Sequence, residues 1–172
     1  GVAGLRAALE VSKRGYSVSL LAKRSLLDSN TYYAQGGISA VPLVHGKVID
    51  GDSFEKHVQD TLKAGDGLCD EKVVRQIVEN SFLNVIKPLR SFGVKFTRSK
   101  TEGYEFSMHQ EGGHSASRIF HVADYTGKAI SEALARKVRS NPKIKFYENH
   151  IAIDLITKSK LRRTKLQNDR CY

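Results

Sequence analysis

Gly1 and Gly4 stand three residues apart where a helical pattern begins. Glycines there let backbone approach a pyrophosphate, and a helix N-terminus favours its negative charge. They match the last two glycines of G-x-G-x-x-G, which puts the first glycine and its strand upstream of residue 1. Close helix packing is an equally good reading of a lone G-x-x-G. A second stretch, Ser29-Asn30-Thr31-Tyr32-Tyr33-Ala34-Gln35-Gly36-Gly37-Ile38-Ser39-Ala40, is a polar loop ending in paired glycines. Its hydroxyls, amides and backbone N–H groups can surround a phosphate and a flat cofactor ring. An ordinary turn before a strand is the plain alternative. A third region, residues 97–124, is rich in His, Gly, Ser and charge. His114, Arg118 and His121 put three cationic or polar groups in one loop, where they can meet a dicarboxylate or a phosphate. Their spacing is not that of a metal site on a helix, so no metal is expected. His121 also fits a satisfied buried histidine, and His45 and His57 are expected at the surface. Tyr32 and Tyr33 can flank a cofactor ring, with core packing expected for at least one.

These groups need elements to hold them. Leu5, Ala8, Leu9 and Val11 recur at near-helical spacing, and Lys13-Arg14-Gly15 supplies a basic last turn and a glycine stop. Ser17 to Lys23 reads as a strand. An acidic residue is expected at its end to contact a ribose, but Lys23 stands there, which disfavours an ordinary NAD site. Residues 25–41 read as loop. A second helix opens at Ser53, a cap, with Phe54, Val58 and Leu62 on one face. A third runs from Glu71 to Phe92 on the stripe Val73, Val74, Ile77, Val78, Phe82, Val85, Ile86 and Leu89, with Pro88 loosening its last turn. Gly93 to Phe96 reads as a strand, Gly127 to Val138 as a helix, and Lys143 to Glu148 and Ile151 to Ile156 as strands. Helices alternating with strands favour an α/β layered fold with a parallel sheet.

The 172 residues are 40% hydrophobic and 27% charged, which suits one core, so a single domain over residues 1–172 is expected. Three prolines and no long polar tract argue against disorder. No apolar run approaches the roughly 20 residues of a membrane span. The net charge of +10 raises nucleic acid as a partner. The basic residues are scattered, however, except in residues 158–165 (KSKLRRTK), which read as a solvated turn between strands. No groove-reading helix or aromatic–basic interleaving is visible, and an anionic cofactor or dicarboxylate also suits a positive field. Cys69 and Cys171 form no CxxC pair, which points to reduced cytoplasmic thiols, with Cys69 a small buried apolar group rather than a reactive one. Gly1 in place of Met puts the expected start upstream.

Taken in order, Ser29 to Ala40, Asp52 to Asp70, Glu111-Gly112-Gly113-His114-Ser115 and Arg118 to Gly127 resemble the L-aspartate oxidases of the succinate dehydrogenase and fumarate reductase flavoprotein superfamily. The resemblance runs from Gly1 to about Ile156, and the ordered set is specific where each piece alone is not. It implies a Rossmann-like FAD-binding domain with a parallel sheet, truncated so that the first strand and a capping domain lie outside residues 1–172. It implies FAD held by the glycine turn (Gly1, Val2, Ala3, Gly4), by the end of the second strand (Lys23), and by Asn30, Thr31, Tyr32, Tyr33, Ala34, Gln35, Gly36 and Gly37. Relatives with covalent FAD have a histidine just before the loop's threonine. Asn30 stands there, so noncovalent FAD is expected.

On the substrate side, the resemblance makes Glu111 the glutamate of an R-E-G-G-H segment that orients the aspartate amino group. An ammonium wants a carboxylate partner on a rigid loop. Gln110 replaces the arginine, so one positive charge is absent there; a surface loop acid is the plain reading of Glu111. The implied reaction moves a hydride from the L-aspartate α-carbon to flavin, giving iminoaspartate for NAD biosynthesis, with oxygen or fumarate as electron acceptor. A catalytic arginine is expected beyond Tyr172, so residues 1–172 alone should be inactive. The competing readings are a fumarate reductase or succinate dehydrogenase flavoprotein subunit, a basic nucleic-acid-binding module, and a nonfunctional gene product. Asn30 and the Glu111 context lean against the first.

Overall fold

The structure is a computed structural model and describes residues 1–101, 104–163, 169 and 171. Helix α1 (Val2–Lys13) buries Leu5 and Ala8, while Val11 of the expected stripe stays exposed. It stops where Gly15 takes a φ of +97°, a conformation open to glycine at little cost. The chain then reverses into β1 (Val18–Leu21). Strand β7 (Ile144–Tyr147) lies parallel to β1, with Val18 opposite Ile144 and Leu21 opposite Tyr147. The long connection between them includes α6 (Thr126–Arg139), and α1 and α6 pack together against these strands. Ile130, Leu134 and Val138 of α6 join Leu5, Ala8 and Ile144 in the main core. The parallel sheet expected from the alternation of elements is present.

The segment expected to be only loop, residues 25–41, contains α2 (Asn30–Tyr33) and β2 (Ile38–Ser39). Strand β2 pairs with β6 (Ile119–Phe120), which pairs with β5 (Met108–His109), giving an antiparallel sheet in the order β2-β6-β5. Phe82, Phe96 and Phe106 surround the buried Phe120 at ring-centroid distances of 5.8, 5.9 and 5.5 Å. Between these parts lie a hairpin, β3 (Leu43–Val44) with β4 (Lys47–Val48), and the pair α3 (Phe54–Ala64) and α4 (Glu71–Ser81). Ser53 Oγ caps α3 by accepting from the Lys56 amide at 3.0 Å. Val41, Val58 and Val78 form a second small core there.

The long third helix is present but not uniform. A π turn at Phe82–Ile86 separates α4 from α5 (Lys87–Ser91), and the Lys87 amide bonds to the Phe82 carbonyl five residues back. Pro88 has no N–H to continue the ladder, which accounts for loosening at this place. Val73, Ile77 and Val85 of the expected stripe are exposed. Four further expectations are corrected. Residues 93–96 are not a strand: the Gly93 and Val94 amides bond to the Arg90 and Leu89 carbonyls at 2.9 and 3.0 Å, closing α5 in a Schellman motif. Val94 and Phe96 are buried, so their alternation reflects burial without a ladder. Residues 151–156 form no strand, and Ile151, Ile153, Leu155 and Ile156 are all exposed. The basic run holds a short helix, α7 (Lys158–Arg162), rather than a turn between strands, and Thr164 and Lys165 lie outside the described residues. Cys69 is half-buried, with Sγ 3.8 Å from the Thr61 carbonyl.

Candidate functional site

The glycine turn and the Ser29–Ala40 loop come together at the start of α1. The Val2 amide donates to Thr31 Oγ1 at 3.1 Å, and a Cβ on Gly1 would sit 2.9 Å from that oxygen. Gly4 is less constrained: a Cβ there would meet Leu20 Cδ1 at an ordinary 3.8 Å. That proximity puts the start of α1 beside the C-terminal end of β1, the end of a parallel sheet where cofactors bind in open α/β folds. Ser29 Oγ accepts from the Tyr32 amide and caps α2.

The N-terminus of α6 presses on the same loop. The Gly127 amide donates to the Ala34 carbonyl at 2.9 Å, and Thr126 Oγ1 donates to the Gly36 carbonyl at 3.2 Å. A Cβ on Gly127 would fall 1.8 Å from the Thr31 carbonyl oxygen, so only glycine fits. A Cβ on Gly37 would fall 2.5 Å from Ile119 Cγ2 and 2.7 Å from the Phe120 carbonyl oxygen. These contacts leave a cavity of about 460 Å³ lined by Val2, Ala3, Arg6, Thr31, Ala34, Gly37, Ile38, Asn84, Val85, Pro88, Leu89, Thr126, Gly127 and Ile130. Its size falls in the ~300–1,000 Å³ range of small-molecule sites. Apolar walls beside a helix N-terminus suit a cofactor that joins a flat ring to phosphates.

Among the residues expected to hold the cofactor, Val2, Ala3, Thr31, Ala34 and Gly37 line this cavity, and Gly1 abuts Thr31. Gly4, Lys23, Asn30, Tyr32, Tyr33, Gln35 and Gly36 do not line it. Neither tyrosine is core, contrary to expectation: Tyr32 is half-buried, Tyr33 is exposed, and their rings meet edge-on at 5.4 Å. Arg6, the π-turn residues Asn84 and Val85, and the α6 N-terminus were not anticipated as lining. Thr126 and Gly127 carried a readable signal, a small-residue pair at a helix start.

Glu111 does not line this cavity. Residues 111–114 make a turn closed by the His114 amide to the Glu111 carbonyl at 3.1 Å, with Gly113 at φ +83° where such a turn favours glycine. Strand alternation puts His109, Ile119 and His121 on one sheet face, with Glu111 two residues beyond His109. The missing side chain of Gly37 points at Ile119, so the glycine loop reaches that face too. Glu111 Oε1 is 3.0 Å from His109 Nε2, and the His109 and His121 rings lie 4.6 Å apart.

Arg118 does not join this face. It is fully buried, donating through Nε and Nη2 to Asp52 at 3.0 and 2.6 Å and through Nη1 to Asp60 at 2.6 Å. Its fork is spent, so the expectation that it meets a dicarboxylate or a phosphate is corrected. His114 Nδ1 lies 3.2 Å from Arg118 Nη1. Burial works to raise the Asp60 carboxyl, but the Ser115 amide and hydroxyl, both at 2.8 Å, and Arg118 hold it down at about 2. His57 is buried rather than at the surface. Burial, with Arg118 close by, pushes its imidazole down to about 4. Among the described residues no group of three His, Cys, Asp or Glu is placed to hold a metal ion. No helix among them is long and apolar enough to cross a membrane.

Comparison with known proteins agrees with this geometry. The FAD binding domain family matches residues 1–171. L-aspartate oxidase 1 of Ralstonia nicotianae is 44% identical over 161 residues, 94% of this chain and 29% of that protein. The chloroplastic L-aspartate oxidase of Oryza sativa subsp. japonica is 45% identical over 157 residues, 91% of this chain and 23% of that protein. Two solved structures are similar, each with a TM-score of 0.79: Mycobacterium smegmatis Sdh1 in complex with UQ1, 27% identical, and a variant FrdA of E. coli quinol fumarate reductase, 29% identical. They cover 91% and 92% of this chain, and 27% and 26% of their own. The chain thus spans less than a third of the length of the relatives it matches. It belongs to the FAD binding domain family, and its cofactor is FAD.

Proposed function

We propose that the full-length protein oxidises L-aspartate to iminoaspartate, the entry to NAD biosynthesis, and passes the electrons to oxygen or fumarate. The carrying observation is Glu111, a carboxylate on a closed glycine turn that contacts His109 on the sheet face reached by the Gly37 loop. The 44–45% identity to two L-aspartate oxidases supports it. FAD, when bound, supplies the two-electron chemistry. In this reading Gly1, Val2, Ala3 and Gly4 face its phosphates. Lys23 and Asn30 to Gly37 hold the rest, without a covalent bond. Glu111 accepts hydrogen bonds from the substrate ammonium and so fixes which face of the α-carbon is presented. Arg118 takes no part in substrate contact and holds the loop from behind.

A second reading, a fumarate reductase or succinate dehydrogenase flavoprotein, is favoured by the fold likeness to Sdh1 and FrdA. A substrate screen of the full-length protein separates the two. Turnover of L-aspartate to an imino acid that hydrolyses to oxaloacetate and ammonia supports the first; turnover confined to succinate or fumarate supports the second. We also propose a reducing, cytoplasmic location, supported by Cys69 and Cys171 standing as free thiols and tested by cell fractionation.

A further inference from the structure

We propose that His109 is a positioning residue that holds Glu111 ready for the substrate ammonium. The proposal rests on the reading of Glu111 given above. An exposed glutamate has three rotatable bonds, and ordering it costs rotamer freedom. A partner that orders it before substrate arrives removes part of that cost from binding. His109 Nε2 lies 3.0 Å from Glu111 Oε1. A carboxylate only accepts, so the imidazole N–H donates. The contact occupies Oε1 and leaves Oε2 for an ammonium.

The imidazole is itself held. His109 sits on β5 opposite Ile119, and its ring lies 4.6 Å from that of His121. His121 Nδ1 faces the Ala123 carbonyl at 3.3 Å. The turn under Glu111 is pinned separately, by the Gln110 side-chain amide on the His114 carbonyl and by Ser115 on Asp60. Loss of the His109 side chain therefore frees the carboxylate without releasing the loop.

The test is steady-state kinetics of the full-length flavoprotein and its Glu111→Gln, His109→Ala and His109→Gln variants, with succinate as a competing dicarboxylate that lacks the amino group. The pair is solvent-exposed, so its worth is modest. His109→Ala should raise KM for L-aspartate roughly twofold to fivefold with kcat nearly unchanged, and leave succinate inhibition as it was. His109→Gln, whose amide can donate to the same oxygen, should restore KM. If Glu111→Gln leaves KM unchanged, the Glu111 reading fails and takes the proposal with it. If Glu111→Gln raises KM and His109→Ala does not, the proposal fails alone. A rise that His109→Gln does not reverse, or that extends to succinate, marks a general loss of shape and also overturns it. In a protein indifferent to aspartate, the imidazole ¹⁵N resonances of His109 decide whether the contact exists. Glu111→Gln shifts them if it does, and leaves them in place if it does not.

Discussion

A glutamate on a solvent-facing loop is ordinarily mobile, and what distinguishes Glu111 is its setting. It opens a turn that Gly113 alone makes comfortable, and its backbone carbonyl closes that turn. Glu111→Gln keeps the shape and removes the charge. It should raise KM for L-aspartate about tenfold or more, the worth of a charge-assisted hydrogen bond, while FAD content stays the same. Unchanged aspartate kinetics would remove the role. Asn30 makes a separate prediction, because an amide offers no nucleophile for a bond to the flavin. Denatured holoprotein on a gel should release its flavin, and fluorescence remaining with the polypeptide would contradict noncovalent binding. Glu111 is singled out only by the resemblance of Glu111-Gly112-Gly113-His114 to an R-E-G-G-H segment. Arg118 could not be placed, since a buried fork and a substrate clamp use the same residue. Only the positions of Asp52 and Asp60, far off in sequence, tell them apart. His57 was misplaced for the same reason: its environment is built by Arg118 and His114 from distant segments.

At the scale of elements, the site depends on how closely α6 approaches the Asn30–Gly37 loop. Gly127 is where they touch, and a Cβ there meets backbone carbonyls of Thr31 and Ala34, which cannot rotate away. Gly127→Ala should destabilise the fold by about 1–3 kcal/mol, as overpacking does, and weaken FAD binding by moving the loop. A Gly127→Ala protein with wild-type melting temperature and flavin affinity would show that the close approach is unnecessary. The long helices were legible because each carries a periodic stripe, and α3 and α4 also open on side-chain caps, Ser53 and Asp70. The short strands were not. Residues 93–96 and 151–156 have the alternation of strands, but a strand also needs a partner. In the first case α5 takes the amides, and in the second no ladder forms among the described residues. The antiparallel sheet was missed because its strands are two residues long, too short for periodicity to register.

For the whole molecule, the buried cluster around Arg118 joins α3 to the loop carrying Glu111, and it ties stability to pH. His57 titrates near 6.5 when unfolded but at about 4 when folded, so the unfolded chain binds more protons between these values. Stability is full above about pH 6.5 and falls as pH drops toward 4, by on the order of 3 kcal/mol at most. Asp60 acts lower down. Its folded value of about 2 lies below the ordinary 3.8, so its contribution is present above 3.8 and is lost as pH falls through 2. Melting temperature against pH should therefore decline in two stages, and His57→Gln should flatten the first. A first stage that survives this substitution would put its origin elsewhere. We propose that FAD on this fold, in the full-length protein, takes electrons from L-aspartate. The most direct test is the visible absorption spectrum of the full-length protein, followed by anaerobic addition of L-aspartate and, separately, of succinate. A flavin band that bleaches with L-aspartate and not with succinate is the predicted result. A flavin band that ignores L-aspartate would contradict it.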